Sequence, residues 1–135
     1  MKKRKQRKDW TNERWRQEAC TVAKELAVLR DSGQCQRCPK NKIQGWKIEG
    51  SHVFPEGKFH SMSVDLDNIK ALCSQCHIWW HEHPTAAKEW YDEKFPGKYL
   101  ELKERSLVPQ KRDYKQVYEE LIKIKEEYGY TSYDE

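Results

Sequence analysis

A chain of 135 residues has room for one compact domain with a small apolar core. With apolar and charged residues each at 36%, something besides apolar burial has to help hold the fold, and a structural metal is the first candidate. No apolar run approaches the roughly 18 residues of a membrane span, and no secretory apolar segment opens the chain, so the expectation is a soluble, cytoplasmic protein with no membrane partner. The net charge of +4 is unevenly spread: residues 2–8 carry six positive charges, and without them the remainder sums to −2.

That basic run, Lys2-Lys3-Arg4-Lys5-Gln6-Arg7-Lys8, reads as a disordered arm over residues 1–9, because like charges this close repel. Lys2, Lys3, Arg4 and Lys5 are candidate contacts to nucleic-acid phosphate; the plainer alternative is a solubilising terminus. Trp10 and Thr11 then open a predicted helix from Asn12 to about Arg30, with Trp15, Ala19, Val22, Ala23, Leu26 and Leu29 recurring at helical spacing and Asp31-Ser32-Gly33 as its stop. Cys20 falls among these apolar neighbours and reads as a buried structural thiol. Cys35-Gln-Arg-Cys38-Pro39 has the form of a zinc knuckle.

Ile48 to Val53 alternates loosely, as a short strand does, and Ile69 to Leu72 is a second. Between them Phe54 to Asp67 is a loop by its Pro55, Gly57 and serines; at fourteen residues it is long enough to suggest a functional one. A helix is predicted from Ser74 to about Glu82, ending before Pro84. Thr85 is placed to N-cap a helix through Phe95, Pro96-Gly97 breaks it, and Lys98 to Arg105 forms another. Asp113 to Tyr128 carries an apolar stripe with Gly129 as its stop, and this stripe suits packing on the core or on a second subunit, so a homodimer stays open. Trp79, Trp80, Trp90, Tyr91 and Phe95 are expected to pack against one another rather than to stack bases.

The chemistry lies in two constellations. Cys35/Cys38 and Cys73/Cys76 are Cys-x2-Cys pairs with 34 residues between them, and in a reducing compartment four such thiolates predict a closed, structural Zn2+ site. His77 and His81, at i and i+4, project from one helix face and can share one ion. His52 gains weight from the order His52, Asn68, His77: an imidazole can take a proton from water, a divalent ion can stabilise a leaving oxygen, and a side-chain amide can pin the connecting loop.

Ser51-His52-Val53, then Asp67-Asn68-Ile-Lys-Ala-Leu-Cys73, then Cys76-His77 with His81, together with the cysteine pairs, resemble the HNH endonuclease family of ββα-metal nucleases over about residues 35–84. The resemblance implies an α+β fold: a small zinc-stapled ββα-metal core at 34–84, an N-terminal helix at 10–33 and a C-terminal helical extension at 85–135. It implies a metal-dependent DNA endonuclease, a phosphodiester hydrolase in which His52 is the general base, Asn68 the orienting asparagine and His77 a ligand of one catalytic divalent ion. His81 matches the second helix histidine that colicin-type members use as a ligand. The position before the base usually holds Asp or His and is Ser51 here. Either two histidines hold the ion with water and phosphate, or His52 turns toward it, or the site is degenerate. Mg2+, Mn2+, Ni2+ and Zn2+ all remain open, although two imidazoles suit magnesium least.

A narrower similarity, to phage recombination proteins of the NinG sort, shares the cysteine pairs, the histidine strand and the acidic residue before the asparagine, and would place the protein in a phage-infected host. The loop lacks the arginine expected there, and Lys58 and His60 are the candidates to contact phosphate in its stead. Two rival readings stand beside these. One is a non-catalytic zinc-stabilised module that binds DNA or protein. The other is a second structural zinc site built from the helix histidines with His83.

Overall fold

The structure is a computed structural model that describes residues 6–108 and 110–133, with side chains through 128. Lys2, Lys3, Arg4 and Lys5 lie outside the described residues. Within the segment read as an arm, Arg7–Asp9 form a single 3₁₀ turn, and the Arg7 guanidinium lies 5.7 Å from the ring centre of Trp10. The fold is α+β, with a two-stranded antiparallel sheet among helices.

Helix α1 (Asn12–Arg30) organises the packing. Thr11 caps it, its Oγ1 accepting from the Arg14 N–H at 3.1 Å. On its buried face Ala19, Ala23 and Ala27 have no exposed surface, and such small side chains let neighbouring elements come close. Helix α5 (Tyr114–Tyr133) lies along one side, sharing a core of Trp15, Leu26, Tyr114 and Leu121. The Asn12 amide ties the two helix starts together, donating to Arg112 O at 3.0 Å and accepting from Tyr114 N at 2.9 Å.

Strands β1 (Ile48–His52) and β2 (Ile69–Cys73) lie against the same helix, paired from Ile48↔Cys73 to His52↔Ile69. Gly50 sets the distance of approach, because a Cβ there would sit 2.8 Å from Lys24 Cα. At the far end of α1, Arg30 donates to Leu66 O and Ile69 O, at 2.7 and 2.5 Å, while Asp31 accepts from Ala71 N at 2.9 Å. Thus α1 is a central element of the core.

Helix α2 (Ser74–Glu82) follows β2 directly. Next, α3 runs Pro84–Lys94, starting at Pro84 rather than behind a Thr85 cap, because proline at the first helical position loses no needed N–H. Helix α4 is Lys98–Ser106, after Gly97 in the left-handed region at φ 80°. The helix expected to stop at Gly129 instead continues to Tyr133; an interior glycine costs a helix only about 1 kcal/mol and ends it only where a left-handed turn is wanted. Val53, Phe54 and Met62 of the loop region share a core with Tyr91 and Leu102, so α3 and α4 close over the loop. Trp80, Trp90, Tyr91 and Phe95 pack together, largely edge to face. Trp79 differs: the Arg37 guanidinium stacks 3.5 Å from its ring centre.

Candidate metal centre and active-site cavity

The sulfur atoms of Cys35, Cys38, Cys73 and Cys76 all lie within 4.8 Å of one another, so the four cysteines can hold a metal such as zinc. All four are free thiols, and Cys38 Sγ to Cys73 Sγ is 3.6 Å, close to the roughly 3.8 Å edge of a tetrahedron with 2.3 Å Zn–S bonds. Cys73 also caps α2, its sulfur accepting from Cys76 N at 3.4 Å. Burial pushes the Cys35 thiol up, but backbone N–H groups aimed at its sulfur outweigh this and bring it to about 7, which readies it as a thiolate. The knuckle is anchored to the sheet through Gln36 N, which donates to Ala71 O at 2.9 Å, and the Lys94 ammonium of α3 bonds Gln36 O.

At the opposite end of the hairpin, Asn68 is completely buried and its side chain holds the intervening loop by three bonds. Its Oδ1 accepts from Phe54 N at 2.8 Å, and its Nδ2 donates to Phe54 O and Met62 O, both at 3.0 Å. The loop so held contains two 3₁₀ turns, His60–Val64 and Leu66–Asn68, and presents Ser63 O to His52 Nε2 at 2.9 Å. A carbonyl only accepts, so Nε2 carries the proton and Nδ1 keeps its lone pair. Burial holds the His52 pKa below that of free imidazole, opposed by the Ser63 bond and the Glu56 charge. The ring is therefore neutral at pH 7.

His52 opens on a cavity of about 600 Å³ that His77, His81, Glu56, Lys24 and Lys88 also line. The His77 and His81 rings are 4.9 Å apart, as i and i+4 on α2. His77 Nδ1 faces Glu49 Oε1 of β1 at 3.7 Å, an arrangement that favours the proton on Nδ1 and leaves Nε2 for an ion. Burial lowers the His77 pKa, with Glu49 opposing and His81 adding to the effect. Imidazole nitrogen is a ligand type that transition-metal divalent ions accept, and here Glu49 would act behind His77 rather than on an ion. Ser51 contributes nothing to this cavity: it is 3% exposed, and its Oγ has no hydrogen-bond partner among the described residues.

The structure thus brings His52, His77 and His81 to one cavity, with Asn68 buried behind the loop. Lys58 and His60 are exposed on the loop and do not line the cavity; Lys24 and Lys88 are its lysines. His83 is exposed, with Nδ1 turned back to Trp79 O at 3.3 Å.

Several residues at the site had no motif to announce them. Arg16, 6% exposed, forms a fork with Glu13 at 2.6 and 2.9 Å, donates to Ser63 Oγ at 3.0 Å and approaches Glu56 at 3.6 Å. Cys20 is buried as expected, but beside polar groups: Glu56 Oε2 at 3.3 Å and His52 Nε2 at 3.7 Å. Burial and the Glu56 charge push its thiol up to about 12. The available signal was spacing, since Arg16, Cys20 and Lys24 recur every four residues beside the apolar stripe of α1. No family model matches the chain, and no curated protein or solved structure matches it either.

Proposed function

We propose that this protein is a metal-dependent DNA endonuclease of the HNH type, hydrolysing phosphodiester bonds in the cavity between β1 and α2. The observation that carries the reading is that His52, with Nε2 tied to Ser63 O at 2.9 Å, lines the same cavity as His77 and His81. In this reading Nδ1 of His52 takes a proton from the attacking water, which a ring kept neutral by burial can do at pH 7. A divalent ion bound to His77 and His81 supplies charge stabilisation for the departing oxygen. Glu49 fixes the His77 tautomer, a supporting role that does not depend on an acidic residue at position 51. Lys24 and Lys88 offer positive charge to the phosphate from opposite elements, α1 and α3, and the basic arm adds salt-sensitive affinity. The four cysteines hold a structural zinc that fixes the start of the histidine helix.

The test is cleavage of supercoiled plasmid with Mg2+, Mn2+, Ni2+ or Zn2+, run beside His52→Ala. Loss of a general base lowers the rate roughly 100-fold to 10,000-fold. The second reading, a zinc-stabilised module that binds DNA or protein without cutting, draws on Ser51, which is buried and offers the cavity no ligand. No cleavage by either protein under any ion, with DNA still retarded on a gel, establishes that module in place of the nuclease.

A further inference from the structure

Behind the proposed base lies a second group of metal-binding donors. Cys20 Sγ, a His52 ring nitrogen and a Glu56 carboxylate oxygen all fall within 4.8 Å of one another, and the nitrogen that Cys20 meets is Nε2. Zinc bonds of about 2.3 Å to sulfur and about 2.0–2.1 Å to nitrogen or oxygen set tetrahedral ligand atoms about 3.3–3.6 Å apart. Cys20 to Glu56 is 3.3 Å and Cys20 to His52 is 3.7 Å, so both sulfur edges are already near that spacing. The three come from different places: Cys20 from the middle of α1, His52 from the end of β1, Glu56 from the loop. Their convergence is therefore tertiary, and Gly50 makes it possible by letting β1 lie against Lys24. Access is also present, because His52 and Glu56 line the cavity, with Cys20 buried next to both.

We propose that Cys20, His52 and Glu56 form a zinc-binding site distinct from the four-cysteine centre, in which the ion captures His52 through Nε2. Three protein donors leave a fourth position for water from the cavity, the pattern of an open zinc site. On binding, the Cys20 thiol gives its proton to solvent. The Nε2 proton of His52 also leaves, and Nδ1 takes one up, so the neutral ring is kept in its other tautomer and one proton is released per zinc. The bond from Nε2 to Ser63 O is lost, which makes this site weaker than the four-sulfur one. Glu56 also has two cationic neighbours, Arg16 at 3.6 Å and Lys24 at 3.9 Å; Arg16 is already paired with Glu13, and Lys24 is the one whose charge opposes the ion. On the nuclease reading, and resting on it, zinc here silences the enzyme, because Nδ1 then carries a proton where the base needs a lone pair.

Cobalt titration of the full-length chain, started metal-free so that the first equivalent refills the four-cysteine centre and restores the fold, tests the site without reference to cleavage, since thiolate-to-cobalt charge transfer counts sulfur ligands and an ion on His77 and His81 contributes none. The wild type is expected to show a four-thiolate phase followed by a weaker one-thiolate phase. Cys20→Ser is expected to lose the second phase, and Glu56→Gln to weaken it more than tenfold, with far-ultraviolet circular dichroism unchanged in both. A single phase in the wild type, or a second phase that survives Cys20→Ser, overturns the proposal. In a manganese-supported cleavage assay, the zinc concentration that halves the rate is expected to rise more than tenfold in Cys20→Ser. An absence of cleavage by any variant removes the nuclease reading and leaves the cobalt result to decide the zinc site.

Discussion

The two ends of one hairpin hold two kinds of site. At the Ile48↔Cys73 end, four sulfurs from the knuckle and the start of α2 surround a point and leave no coordination position free. At the His52↔Ile69 end, three imidazoles and the Glu56 carboxylate line a cavity of about 600 Å³, with the Cys20 thiol buried beside Glu56. The first end is saturated by its own residues and serves to hold the chain. The second has donors with unused lone pairs beside open space, and chemistry requires both. The difference lies in the donors as well as the shape: four thiolates select a soft, tightly held ion, whereas mixed nitrogen and oxygen donors admit several.

Breaking the closed end produces the largest effect. A structural zinc contributes about 10–16 kcal/mol of apparent binding energy, against about 5–15 kcal/mol for the whole stability of a domain. Cys73→Ser, or chelation of the wild type, is therefore expected to abolish cooperative unfolding at 25 °C, as followed by circular dichroism. At the open end the expected losses are smaller. Asn68→Ala strands the N–H and carbonyl of Phe54 in a buried place, while Met62 O keeps the Asp65 N–H, at a cost on the order of 3 kcal/mol in urea unfolding. It should also release Ser63 O from His52, so that the proposed cleavage falls while zinc content stays constant.

Gly50→Ala sharpens the comparison further, because it acts between the two ends. The added Cβ meets Lys24 backbone, and relief by moving β1 away costs about 1–3 kcal/mol by urea unfolding. The four-cysteine centre is expected to keep its metal while Cys20 and His52 separate. The smallest effect is a pH slope. Burial holds His52 below its unfolded value of 6.5, so the unfolded chain binds more protons there. The His52 contribution is thus complete above 6.5 and lost as pH falls from there through the folded pKa. On the nuclease proposal the acid limb of cleavage should likewise lie below 6.5, and His52→Ala should flatten the matching part of the stability profile.

Much of the scaffold was legible because it is coded locally. The Thr11 cap and apolar stripe give α1 its limits at Asn12 and Arg30, and the Ser74–Glu82 helix follows from its flanks, Cys73 before it and Pro84 after. The start of α3 and the end of α5 were misread where one residue type had two uses, proline as breaker or first helical residue, glycine as stop or tolerated interior position. Of the site, the cysteine pairs and the His77/His81 spacing were readable, since each pair lies within one turn of chain.

What the sequence by itself determined is therefore the set of short-range donors: two Cys-x2-Cys pairs, two histidines one helical turn apart, and Asn68 at the head of a strand. Only the tertiary structure decided which groups surround His52. Glu49 reaches His77 across the gap between strand and helix, and Arg16, Cys20 and Lys24 reach the site from α1. These neighbours are 32 residues apart in the case of Cys20 and His52, and no local spacing encodes a contact made when a helix lies against a glycine in a strand.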